Sequence, residues 1–320
     1  MKTWTPESAL ASSRFDEITE VRVAHPEWIE AEAEDRRRRK RLTSDGRLVL
    51  LAVDHPARGV TQIRREPLAM GDRHEYLART RRALDDPLLD GVVGTSDILE
   101  ELLILSRLER KSGKRSFLDG RLLVGSMNRG GIAGTSFELE DTFTSFTAKR
   151  LAKLGCDGGK MMYRLEPADP ASGRTLTACA HAVNDLRKHG LAAFLEPLGV
   201  KGLTPAKDAA TIIQNCGIAA ALGESTAHVW LKIPYCDELD KVCKATTLPI
   251  LLLGGPARET AQETLEDFAA GLAAGSRIRG AIIGRNLLYP GGDPLPMCRA
   301  LTALVHQGVT LQEAQRLLED

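Results

Sequence analysis

From Arg47 onward the chain alternates short apolar runs of about five to seven residues with longer helix-forming segments, and this rhythm constrains the fold most. The runs are LVLLAVD (48–54), LDGVVGT (89–95), LLVGSM (122–127), GGKMMY (158–163), LAAFLEP (191–197), HVWLKIP (228–234), PILLLGG (249–255) and GAIIGR (280–285). Helix-forming stretches lie between them, among them 76–84, 144–154, 176–189, 205–222 and 260–274. Strands apolar on both faces and separated by helices pair in parallel, with one face on an interior and the other under helices. Eight such units in about 240 residues match the number and length of a (β/α)8 barrel. A doubly wound open sheet also alternates, but it carries a glycine-rich turn after its first strand, and here that strand ends in Asp54-His55-Pro56. The expected architecture is therefore an α/β chain with an N-terminal helical extension (1–44) and one (β/α)8 barrel domain (45–320).

The extension has its own character. Residues 27–41 are helix-forming throughout, with Glu30, Glu32, Glu34 and Asp35 ahead of the basic run 36–41. Acid early and base late suit the dipole of a single solvated helix covering the closed end of the barrel. With 43 Lys+Arg against 43 Asp+Glu, the balanced charge argues against nucleic acid as a partner. No run is long enough for a membrane helix, and the first residues form no apolar leader. Six cysteines without a CxxC or a histidine cluster read as reduced thiols, so a cytoplasmic location is expected.

In a barrel the chemistry gathers where the strands end. Lys232 sits inside the apolar run VWLKIP (229–234), where an unpaired ammonium is costly. It is either a lysine paired with a carboxylate for structure or an imine-forming nucleophile whose pKa burial and a second cation depress. Lys160, on the fourth run, is that candidate cation. Cleaving a carbon–carbon bond beside an iminium also needs a proton carrier, for which Tyr163, Glu196 and Asp54 are available. Gly254-Gly255 and Gly284-Arg285 follow the seventh and eighth runs, where barrels bind phosphate through backbone N–H groups. In the glycine-rich loop 125–134, Asn128 and Arg129 are candidates for a second phosphate or substrate hydroxyls, and His55 lies beside Asp54. The histidines show no HxH or HExxH spacing, so no metal site is expected.

Together these residues resemble the class I, Schiff-base aldolases of the DhnA/tagatose-bisphosphate aldolase superfamily. GCDGGKMMY (155–163) is similar to the G-A-D-A-V-K-x-x-x-Y stretch of that group, and FLEPL (194–198) to its F-L-E-P-L. Lys232 falls where the family's imine-forming lysine lies, and Asp54 matches its first-strand aspartate; the likeness spans about residues 45–306. DHPARG (54–59) with GSMNRGG (125–131) looks more particularly like an actinobacterial barrel subfamily associated with myo-inositol breakdown. That resemblance implies 2-deoxy-5-keto-6-phosphogluconate as substrate. Two features depart from the tagatose enzymes: LGGP (253–256) is closer to archaeal-type fructose-bisphosphate aldolases, and Arg164 replaces a second aromatic.

The expectation is a class I lyase acting on a small phosphorylated sugar or keto-acid, without metal or cofactor, and a homo-oligomer as such aldolases usually are. Lys232 attacks the ketone, Lys160 lowers its pKa and binds substrate oxygens, and Tyr163 or Glu196 takes the hydroxyl proton. Asp54 orients Lys232 or the substrate, while Gly254, Gly255, Gly284 and Arg285 hold the phosphate. A sugar-phosphate isomerase or epimerase, and a non-catalytic sugar-phosphate-binding barrel, are the alternatives.

Overall fold

The computed structural model describes residues 4–202 and 204–319. Residues 1–3, 203 and 320, which belong to the expected extension and barrel, lie outside the described residues. Eight parallel strands close on themselves: β1 (Leu48–Ala52), β2 (Gly91–Gly94), β3 (Leu122–Ser126), β4 (Gly158–Leu165), β5 (Ala192–Lys201), β7 (Val229–Ile233), β8 (Ile250–Leu253) and β9 (Ile278–Ile283). The pairing of β1 with β9, Leu51 opposite Ile283, completes the (β/α)8 barrel. A two-residue strand, β6 (Thr204–Pro205), folds back antiparallel on the end of β5.

Each strand run divides its residues between two layers because successive side chains point to opposite faces. On β1, Val49 and Leu51 face the surrounding helices, while Leu48, Leu50 and Ala52 join Val124, Phe194, Leu251 and Ile282 inside the barrel. Burial of such side chains contributes roughly 1.5–3 kcal/mol each, which fixes the register against a one-residue slip. The helices begin where short polar side chains accept the first free N–H groups. Asp72 accepts from Glu75, Asp208 from Thr211 and Thr260 from Glu263, starting helices Arg73–Ala83, Ala209–Ala220 and Ala261–Ala273. Asp169 and Asp293 do the same ahead of a proline in the first turn.

The N-terminal segment departs from the expected single solvated helix. Helix Trp28–Asp35 stops at Arg36, and the arginines after it leave the helix to dock under the barrel. Arg36, 3% exposed, donates to the carbonyl oxygens of Arg121 and Gly155, and Arg39 reaches Asp90 at 2.6 Å and the Gly120 carbonyl oxygen. Helix propensity loses here because the strand entrances offer fixed acceptors and carboxylates that a solvated helix would leave unused. No helix among the described residues is long and apolar enough to cross a membrane.

Candidate active site

The interior layer that is apolar in mid-barrel becomes charged one step further along each strand. Ala52 is followed two residues on by Asp54, Val124 by Ser126, Phe194 by Glu196 and Trp230 by Lys232, all on the inward face. Lys160 on β4 lies opposite Ser126 of β3 and Phe194 of β5 in the ladder. The side chains form one chain of contacts across the mouth. Lys232 Nζ donates to Glu196 Oε2 at 2.9 Å, and Lys160 Nζ lies 3.0 Å from that same oxygen. Lys160 also donates to Asp54 Oδ2 at 3.0 Å, and Ser126 Oγ donates to that oxygen at 2.8 Å. Lys160, Asp54, Glu196 and Lys232 are all buried.

The two lysines are not equivalent. Burial pulls both toward the neutral amine, but Lys160 has two carboxylates against it, and Asp54 and Glu196 outweigh burial to raise its pKa. Lys232 has one bonded carboxylate and a neighbouring ammonium. Burial dominates, Glu196 opposes it, Lys160 adds to it, and the pKa falls below the ordinary lysine value. On the acid side, burial would raise both carboxyls, yet the lysines override it. Glu196 is held at about 2 and Asp54 well below the usual carboxylate range, so both are ionised. The arrangement is a fixed ammonium, two carboxylates and a lysine biased toward free amine, which is the state a nucleophilic amine needs.

Beside this cluster, the loops after β8 and β9 interlock. Asn286 Nδ2 donates to the carbonyl oxygens of Gly254 and Pro256 at 2.6 and 2.9 Å, and its Oδ1 accepts from the Arg258 N–H at 2.6 Å. Arg285 Nη2 donates to the Gly255 carbonyl oxygen at 2.9 Å. Gly255 has φ +66°, in the left-handed region that favours glycine. Gly284 has no room for a side chain, because a Cβ there would lie 2.4 Å from His55 Cε1. His55 therefore packs on Gly284, with Nδ1 4.0 Å from Asp54 Oδ1 and no hydrogen-bond partner. Burial pushes its pKa down to about 3, so the ring is neutral and its proton sits on one nitrogen.

Tyr163 is placed away from the cluster, and Asn128 and Arg129 are engaged in bonds that hold the loop after β3. Tyr163 is a correction: three residues beyond the inward Lys160, it points outward, fully buried in the layer under the helices. Its hydroxyl has no partner, the thiols of Cys179 and Cys216 are its neighbours, and burial pushes its pKa well up. Asn128 is engaged with the β4 backbone, donating to the Met162 carbonyl oxygen at 2.6 Å and accepting from the Met162 N–H at 2.9 Å. Arg129 ties the loop after β3 to the loop after β1 through the Ala57 carbonyl oxygen at 3.3 Å, and bonds Thr144 Oγ1. Both therefore brace loops. Ser126, Asn286 and Arg58 enter the site unforeseen. Strand alternation from Val124 was a sufficient signal for Ser126, whereas Asn286 lies in the one-turn helix Arg285–Leu288 and Arg58 in the 3-10 turn Pro56–Arg58, each too short to show a period. Among the described residues no group of three or more His, Cys, Asp or Glu side chains is arranged to hold a metal.

The fold and cluster together define a (β/α)8 barrel with a buried lysine–carboxylate centre at the C-terminal mouth. The chain belongs to the Cgl0159-like family, whose profile matches residues 46–298. It is similar to the crystal structure of Cgl0159 from Corynebacterium glutamicum, with 34% identity over 94% of this chain and 99% of that one and a TM-score of 0.85. It shares its fold with an archaeal fructose-1,6-bisphosphate aldolase solved with its catalytic lysine bound to a carbinolamine intermediate. That likeness has 22% identity, coverage of 87% and 99% of the two chains and a TM-score of 0.61. An uncharacterised aldolase of Saccharolobus solfataricus is 25% identical over 154 residues, 47% of this chain. The match spans about half the length of that relative, 55%.

Proposed function

We propose that the protein is a class I aldolase that makes or breaks a carbon–carbon bond in a phosphorylated ketose or keto-acid through an imine on Lys232. The observation that carries this reading is the shared Glu196 oxygen, 2.9 Å from one lysine and 3.0 Å from another whose pKa moves the opposite way. Lys232, biased toward free amine, attacks the ketone carbon, and loss of water from the carbinolamine gives the iminium. Glu196, ionised and in contact with the reacting nitrogen, moves protons during that dehydration and takes the proton of the substrate hydroxyl. The electrons of the breaking carbon–carbon bond flow into the iminium to give an enamine, which is reprotonated and hydrolysed. Lys160, locked between Asp54 and Glu196, stays charged and binds substrate oxygens. Gly254, Gly255, Gly284 and Arg285 hold the phosphate at the β8–β9 side of the mouth, where backbone N–H groups and a guanidinium favour an anion.

The resemblance of DHPARG and GSMNRGG supports a keto-acid phosphate from inositol breakdown as the substrate, with dihydroxyacetone phosphate as the ketone product. Borohydride reduction of the protein with dihydroxyacetone phosphate, followed by intact mass and peptide mapping, tests the imine. The expected result is one reduced adduct on Lys232 that Lys232→Met abolishes, along with at least about a thousandfold of the turnover. Absence of any adduct with dihydroxyacetone phosphate, pyruvate and malonate semialdehyde overturns the aldolase reading.

A further inference from the structure

The loop that follows β1 carries a guanidinium that the imine chemistry leaves without a task. Residues Pro56–Arg58 form a single 3-10 turn, closed by the Arg58 N–H on the His55 carbonyl oxygen at 3.0 Å and ended by Gly59 at φ +72°. The turn is held from two sides. Ala133 N–H donates to the Arg58 carbonyl oxygen at 2.9 Å, Arg129 bonds the Ala57 carbonyl oxygen, and the His55 ring sits against Gly284. Because β1 pairs directly with β9, this turn stands next to Gly284-Arg285.

Two arginines are thus brought to one edge of the mouth. Among the described residues neither Arg58 nor Arg285 forms an ion pair, and the Nε of each is buried without a hydrogen-bond partner. The His55 Nδ1 beside them is also buried and unpartnered. After burial, the charge of Arg58 is the main influence lowering the Arg285 pKa, so the two guanidiniums are close enough to repel. Arg39 and Arg82, by contrast, are ion-paired with Asp90 and Asp293. Like charges held together with unsatisfied N–H groups are costly, and an anion received between them removes both penalties. The lysine–carboxylate cluster does not need that charge, since Asp54 and Glu196 already balance Lys160 and Lys232.

We propose that Arg58 is a specificity-determining residue: with Arg285 and the Gly254-Gly255 loop it clamps one dianionic phosphate of the substrate between two guanidiniums. The proposal rests on the phosphate position given above but not on the imine. A substrate carrying a terminal phosphate is held with its carbonyl toward Lys232, and an unphosphorylated analogue loses the clamp on both sides.

Two measurements on the full chain separate this idea from the imine. Titration calorimetry with inorganic phosphate should show binding to the native protein and a loss of about tenfold or more in affinity for both R58Q and R285Q. R58K, which keeps the charge and loses the fork, should fall between. In borohydride trapping, the dihydroxyacetone phosphate concentration for half-maximal adduct should rise by about the same factor in R58Q, with that for dihydroxyacetone unchanged. Phosphate affinity in R58Q equal to that of the native protein overturns the proposal and leaves the imine standing, as does no phosphate binding by the native protein. Loss of phosphate binding in R58Q together with no trapping in the native protein keeps Arg58 and discards the imine. Thermal unfolding of each variant checks the fold; should R58Q unfold, R58K with the same two readouts decides.

Discussion

The two ends of this barrel are both dense in buried charge, and they use it in opposite ways. At the strand entrances Arg36 is directed at backbone carbonyl oxygens and Arg39 is bonded to Asp90. Asp90 in turn accepts from the Val49 N–H at 2.7 Å and lies 3.0 Å from His306. At the mouth Glu196 is shared between two lysines that compete for it, and among the described residues Arg58 and Arg285 form no ion pair. Charge that is locally satisfied closes a fold. Charge that is crowded and undersatisfied carries an energetic cost that a bound anion removes, and such sites are candidates for function. The same distinction separates Lys160, fixed by two carboxylates, from Lys232, which has one and is driven toward the amine.

Glu196→Gln gives the largest effect within this comparison. It removes the proposed proton carrier but leaves both lysines, so kcat should fall by about 10²–10⁴ while a reduced adduct on Lys232 still forms, more slowly. Steady-state assay and trapping on the same preparation check this, and a variant that turns over normally would remove Glu196 from the chemistry. Asp90→Ala makes the complementary break at the other end. It strands Arg39 and the Val49 N–H, so stability should fall by about 3–5 kcal/mol by denaturant unfolding. Trapping per folded molecule should not change. If Asp90→Ala lowered trapping and Glu196→Gln lowered stability by similar amounts, the two ends would not be functionally distinct.

A smaller effect tests the closed end by pH. Burial alone would lower the pKa of His306, but Asp90 and Asp45 outweigh it and hold it above the ordinary value. A raised folded-state pKa means the ion pairs add stability that is fully present below the unfolded value, about 6.5, and lost as pH rises through the folded value. His306→Gln should therefore lower the melting temperature by a few degrees in mildly acidic buffer and by progressively less in alkaline buffer. A difference independent of pH would mean that packing of the helical turn Ala303–Gln307, not charge, is what His306 supplies.

The strands were legible because their burial on both faces leaves an unmistakable apolar run, and the charged residues at their ends were legible because lysine and glutamate are out of place there. Lys232 within VWLKI and Glu196 within AFLEP needed no structure to stand out. The docking of Arg36 and Arg39 was hidden, since a glutamate-then-arginine segment satisfies every local rule for a solvated helix. What overrides those rules is the set of acceptors at the strand entrances, which are distant in sequence. Arg58 was hidden for another reason: a 3-10 turn has no period to say which way a side chain points. The loop after β8 was half visible. Gly254-Gly255 announces a turn, but the amide of Asn286 that holds its shape becomes meaningful only once β8 and β9 lie side by side.

Tyr163 was readable and points to the smallest effect. In a strand, residues three apart lie on opposite faces, so an inward Lys160 requires an outward Tyr163. Its hydroxyl is buried among Cys179, Cys216 and the helices with nothing to bond. Tyr163→Phe deletes an unsatisfied polar group and keeps the ring, so turnover should change by less than about twofold and stability should hold or rise slightly. Set beside Glu196→Gln on the same assay, this variant separates two side chains that the sequence alone offers as equals. Both belong to neighbouring barrel strands, and the pleat gives one of them the site and the other the helix layer. A hundredfold loss in Tyr163→Phe would require β4 to shift its register by one residue when substrate binds, carrying Lys160 out of the mouth at the same time. That movement would abolish the bonds from Lys160 to Asp54 and Glu196, so the two alternatives differ in protonation and packing as well as in rate.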